Sequence, residues 1–304
     1  NIHHYFNGIY TSSSGALDNP GVAFDADIYN NRITSIGDDA LEPEGTCVNH
    51  RFRNNVIDST LVGISLAPVT MGPTWVIRNT FSNFSSRSLK WDKNSDGWAL
   101  VYHNTSWTNF SNPNQAELIS PISNSVLRNN IFQGNGYSIE ARNPGALGND
   151  WNYDNWSTSS TGFRFKWDGV DHSTMNQLCR AAGLECNGHE GAPGFSNPFG
   201  GDFSLQAASL NVDRGLLLPG INDSFIGTAP DVGAFESPYG APPNNIATNT
   251  PSPISTAIET LIPTSTPIFT PTPTFVSTPI VSPLVLGVFR TDPTPSNTEL
   301  VHFG

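Results

Sequence analysis

Four acids fall within seven residues of the stretch SIGDDALEPEG, Ser35 to Gly45: Asp38, Asp39, Glu42 and Glu44. Carboxylates this close can act as an acid/base pair, hold a cation, or bond the backbone of a β-turn. Two histidine candidates, His3–His4 and His172, have no second cluster at ligand spacing and read as ordinary polar residues.

What would position these acids is a repeat. The segments DIYNNRI (27–33), RFRNNVI (51–57), VIRNTF (76–81), VYHNTSW (101–107), VLRNNIF (126–132) and WNYDNW (151–156) align on one column. That column is Asn30, Asn54, Asn79, Asn104, Asn129 and Asp154, with spacings of 24, 25, 25, 25 and 25. A fixed period of this length marks a repeat architecture. The dense leucines of a leucine-rich repeat are absent, and helix pairs need longer units. The expectation is all-β: a right-handed parallel β-helix whose coils stack at about 4.8 Å. An inward asparagine in each coil would then bond its neighbours above and below.

These repeats resemble the right-handed parallel β-helix superfamily, which includes pectate lyases, polygalacturonases and bacterial surface proteins. The coils are expected over 1–165 and a capping segment over 166–240. GDFSLQAASLNVDRG followed by PDVGAFE looks like the terminal segment of bacterial members. His172–Gly183 reads as one short helix, N-capped by Ser173 and stopped by Gly183. Thr, Ser and Pro fill 241–287, an extended linker suited to the outside of a cell, and 288–304 reads as the start of a further β module cut short. The chain is read as a monomeric piece of a larger precursor, extracellular or at the cell surface.

Strand alternation sorts the side chains. One place before the asparagine column stand Tyr29, Arg53, Arg78, His103, Arg128 and Tyr153, expected to face solvent. Ile28, Phe52, Ile77, Tyr102, Leu127 and Asn152 would face the core. The basic column Arg53, Arg78, His103, Arg128 is a candidate groove for an anionic polysaccharide; alternatively each arginine reaches a neighbouring acid such as Asp27.

A second strand face aligns Asp38–Pro43 with Val62–Pro68, Arg87–Asp92, Ala116–Ser120, Tyr137–Arg142 and Gly162–Trp167. Leu41, Ile64, Leu89, Ile139 and Phe163 would point inward. The outward column is Glu42, Ser65, Lys90, Glu117, Glu140 and Arg164, with Tyr10 ahead of it. Glu44 falls in the next turn, outside the candidates. In the superfamily this face forms the substrate cleft. The resemblance implies either carboxylates holding Ca2+ with a lysine or arginine base, or carboxylates as acid and base around a glycosidic bond. It makes Asp38, Asp39 and Glu42 the catalytic or Ca2+ group, Lys90 the candidate base, and Glu140 a substrate contact. GDD (37–39) resembles the paired aspartates of polygalacturonases, but the Gly-His-Gly and Arg-x-Lys motifs of that family have no counterpart. The rival reading is a non-catalytic surface module that binds glycan or serves as a rigid spacer.

The net charge is −12, of which −10 lies in 1–240 (13 Lys/Arg against 23 Asp/Glu). An acidic surface argues against nucleic acid. No apolar run approaches the ~20 residues of a membrane span. Of three cysteines, Cys179 and Cys186 are close enough to pair, which leaves Cys47 over.

Overall fold

The structure, a computed structural model, describes residues 1–11, 24–92, 95–143, 148–159 and 164–240, and the backbone of 288–289 and 300–301. The chain divides into two units, Asn1–Asn244 and Asn245–Gly304. In the second, Val288–Phe289 pairs antiparallel with Leu300–Val301. The expected linker, 241–287, lies outside the described residues.

The first unit is a right-handed parallel β-helix of about five turns. Each coil opens with a short strand in a six-stranded parallel sheet: Asp27–Tyr29, His50–Arg53, Thr74–Ile77, Ala99–Tyr102, Ser125–Arg128 and Asp150–Asn152. One corner residue follows, then a second and a third strand segment. In the first two coils these fuse into Arg32–Glu42 and Val56–Leu66; later coils split them, as in Thr80–Ser82 and Arg87–Trp91.

The corner is a single left-handed residue. Asn30, Asn54, Arg78, His103, Asn129 and Tyr153 all have φ between 53° and 64°. Asparagine tolerates this region best, and the arginine, histidine and tyrosine are held there by the stack. The residue after each corner turns inward and builds a ladder: Asn31, Asn55, Asn79, Asn104, Asn130 and Asp154. In the central coils the ladder amide also donates to a carbonyl of the coil below, as Asn104 Nδ2 does to Val76 O at 2.8 Å. The expected column is corrected in three coils, where the ladder residue is the second asparagine of an Asn-Asn pair.

The same shift corrects the core. The inward column is Ile28, Phe52, Val76, Val101, Leu127 and Trp151, so Ile77, Tyr102 and Asn152 face outward. Aromatic rings fill the upper interior: Phe132 stacks on Trp156 at 4.1 Å and Trp91 on Trp151 at 5.7 Å.

The helix Met175–Ala182 closes the upper end with Met175 and Leu178 buried on the core. Its N-cap is Thr174, not Ser173, and Gly183 ends it in the left-handed region at φ 70°. Cys179 and Cys186 form a disulfide beside it. Cys47 is buried, its thiol donating to Thr11 O and Glu44 O. The remainder of the cap runs back along the side of the solenoid, where Phe195, Phe203, Leu205 and Val232 pack on Trp107 and Ile131.

Candidate functional site

The third strand segments stack as the period-2 pattern requires. Leu41, Ile64, Leu89, Ala116 and Ile139 point inward and are fully buried. Ser65, Lys90, Glu117, Glu140 and Lys166 are paired rung by rung on the outward side. Glu42 follows Leu41, the partner of Ile64, and pairs with Tyr10 on its other side. The last coil differs: Lys166 holds the place expected for Arg164, and Phe165 that of Phe163, which lies outside the described residues. Arg164 instead pairs with Glu190 at 3.0 Å.

The acids gather at the lower end of this column. Asp39, Glu42 and Glu44 each bring a carboxylate oxygen within 4.8 Å of the others. Glu44, which its position in the turn seemed to exclude, belongs to the group: Gly45 at φ 82° bends the chain, and Ser65 Oγ donates to Glu44 Oε1 at 2.5 Å. Asp38 is half-buried and outside this trio. Its backbone N–H donates to Phe6 O, and its charge still acts on Asp39 and Glu42.

Lys90 Nζ reaches Asp39 Oδ2 at 2.5 Å. Burial raises the pKa of Asp39, and the Lys90 ammonium opposes that rise. Glu42 is pushed up to about 7 by burial first, then by the charges of Asp39 and Glu44. Three carboxylates thus face one cation, and Glu42 is the one whose surroundings favour a bound proton. Three hard oxygen donors also suit Ca2+, and the buried Asp39 Oδ1 has no hydrogen-bond partner.

Farther up the column the charges are matched. Arg87 pairs with Glu117 at 3.1 Å. Glu140 is buried and bonded to Arg142 at 2.9 Å and to Asn114 Nδ2 at 2.6 Å, with Lys166 at 3.7 Å. Lys166 also stands over the Tyr137 ring.

The expected basic column is corrected: its members belong to two columns. Arg53 and Arg128 face outward on the first strand and pair with Asp27 and Asp150. Arg78 and His103 are corner residues beneath the cap. Arg78 donates to Ala234 O at 3.2 Å. His103 is 1 % exposed, so it offers no surface to a glycan. Its Nδ1 faces Gly233 O at 3.0 Å, and Nε2 faces the amide nitrogens of Asn129 at 3.0 Å and Asn222 at 2.7 Å. These partners fix the neutral tautomer with the proton on Nδ1. Burial and the Arg78 charge lower its pKa to about 3.

A second acid pair went unnoticed in the sequence. Asp154 ends the ladder, and its backbone N–H donates to Glu185 Oε2 at 3.3 Å. Trp156 Nε1 donates to Glu185 Oε1 at 3.0 Å. Both acids are fully buried, and burial raises both pKa values, so the pair keeps a proton.

Comparison with protein-family models, with curated proteins and with solved structures returned no match.

Proposed function

We propose that the protein acts on a polysaccharide outside the cell or at its surface, with the Asp39–Glu42–Glu44 cluster as its acid/base group. The carrying observation is Glu42, a carboxyl pushed up to about 7 beside the Lys90-paired Asp39. Two carboxyl groups with divergent proton affinities are what glycosidic cleavage uses: Glu42 protonates the leaving oxygen, and Asp39 is the charged partner. One oxygen of each lies within 4.8 Å of the other, so both carboxyl groups can act on the same bond. Tyr10, 61 % exposed on the neighbouring rung, offers a ring for a sugar face. Lys90 serves in this reading as counter-ion to Asp39 rather than as the base. Ca2+ is the rival occupant of the three carboxylates, and when bound it would neutralise a uronate. The resemblance to pectate lyases and polygalacturonases supports the substrate class by analogy of fold.

A non-catalytic surface module is the second reading. It is favoured by the burial of the acids, since Asp39 is only 4 % exposed and Glu42 5 %. The test is a panel of uronate and neutral glycans, with and without Ca2+, scored for new reducing ends and for unsaturated products. Cleavage abolished by Glu42→Gln supports the enzyme. Silence across the panel, with glycan binding retained, leaves the module.

A further inference from the structure

A cleft of about 260 Å³ opens on the side of the solenoid, away from the acidic cluster. It exists because the cap fits only part of the sheet it covers. Trp107 and Ile131 give the cap an apolar seat in the later coils. In the first coils the corresponding face carries Arg32 and Asp58, and the cap overhangs it. The short turn Pro198–Gly200, ended by Gly201 at φ 79°, holds Phe199 over the gap. That ring is 76 % exposed and leans edge-on against Trp107 at 5.1 Å; Phe235 beside the cleft is 45 % exposed. Phe203 is the buried ring behind them.

The polar side is built. Asp58 Oδ1 accepts from Ser82 Oγ at 2.7 Å and from Asn83 Nδ2 at 2.8 Å, and Oδ2 accepts from Ser59 Oγ at 3.0 Å. The carboxylate is held still and keeps acceptor capacity. Arg32 lines the same cleft, and its guanidinium has no hydrogen bond or ion pair with any described residue. Among the described residues Arg32, like Arg180 and Arg214, has no ion pair, whereas Arg51, Arg53, Arg87 and Arg128 each have an acid; Arg32 is the arginine that lines the cleft.

We propose that this cleft binds a small carboxylated ring, an aromatic acid above all. The carboxylate docks on the Arg32 fork, the ring lies against Phe199 and Phe235, and a ring hydroxyl donates to Asp58. The volume lies below the ~300–1,000 Å³ of pockets for drug-sized ligands, so it takes one ring. A uronic acid has the same carboxylate on a six-membered ring. The aromatic acid is favoured because three phenylalanines offer a ring apolar contact and no hydrogen bond. The site is independent of the acidic cluster and of the reading built on it.

The test is calorimetric titration of the full chain with 4-hydroxybenzoate, 4-hydroxybenzamide, glucuronate and glucose. The acid is expected to bind about tenfold or more tightly than the amide, since the charge-assisted bond is lost in the amide. Arg32→Ala and Phe199→Ala, both surface positions, should weaken it similarly with an unchanged melting temperature. Glu42→Gln should leave it untouched. Stronger binding of glucuronate with the same dependence on Arg32 would keep the site and assign it to a sugar acid. Equal binding of acid and amide, no binding of either acid, indifference to Arg32→Ala, or loss in Glu42→Gln would overturn the proposal.

Discussion

Asp39 and Lys90 lie 51 residues apart in the chain, yet their side chains meet at 2.5 Å. Parallel stacking makes this contact: Asp39 pairs with Val62 on the next coil, and Val62 with Arg87 on the one after. A long lysine side chain then spans back to an acid that is almost fully buried.

Lys90→Met should therefore destabilise the solenoid by about 3 kcal/mol. That is the lower end of what removing one partner of a buried ion pair costs, because Lys90 keeps some contact with water. Adding Asp39→Asn should recover most of the loss, since no charge is then stranded. Denaturant unfolding of both single variants and the double variant measures the coupling. Strictly additive effects would show that the pair does not interact in solution.

Glu42 should make stability fall as pH rises. Its folded pKa, about 7, lies above the ordinary 4.5. The advantage of the protonated form is complete below the unfolded value and is lost as pH climbs through about 7. Chemical unfolding between pH 5 and about 8 should therefore show a decline that Glu42→Gln flattens. If cleavage is found, its rate should fall along an alkaline limb near the same pH.

Asp154→Asn should stabilise the protein at neutral pH. The substitution removes one of two acids that share a buried site with a retained proton. The new amide can also donate to Leu127 O, the carbonyl equivalent to those met by Asn79, Asn104 and Asn130 in the coils below. A gain of about 1 kcal/mol is expected, growing as pH rises. A variant less stable than the parent at pH 8 would contradict this account of the pair.

His103 works in the opposite sense. Its folded pKa, about 3, lies below 6.5, so its contribution is complete above 6.5 and is lost as pH falls towards 3. The protonated ring could no longer accept from Asn129 and Asn222, which tie the cap segment to the corner column. The melting temperature of the parent should fall more steeply over that window than that of His103→Gln. Parallel curves would remove His103 from the clamp.

The period of the repeat made the coil legible, because each coil must return an equivalent residue to the same place. It did not make the corner legible. Asn30-Asn31, Asn54-Asn55 and Asn129-Asn130 offer two asparagines for two jobs, a left-handed corner and an inward ladder, and asparagine suits both. Where the corner is Arg78 or His103, only the ladder residue looks special, so these two side chains were assigned to a strand. The outward face was read correctly through Lys90 and Glu140, since apolar and charged residues alternate strictly there. In the last coil, FRFKW satisfies period 2 in two registers, which allowed a slip from Phe165 to Phe163. Glu44 was hidden by a turn that bends back at Gly45, a tertiary effect that strand spacing does not contain. The Asp154–Glu185 pair needed the path of the cap, which no repeat specifies.

The ladder has a polarity. Each asparagine sends its backbone N–H and its side-chain amide to the oxygen of the residue above, from Asn31 up to Asp154. All of these dipoles add in one direction. The top position therefore only has to accept, which a carboxylate does as well as an amide, and Glu185 already occupies the space beyond it. At the bottom, Asn31 still presents an oxygen that accepts from no described residue. A coil grafted above Asp154 would have to displace an acid. The ladder is in this sense a one-way polymer, terminated at its last coil by a residue that only accepts from it.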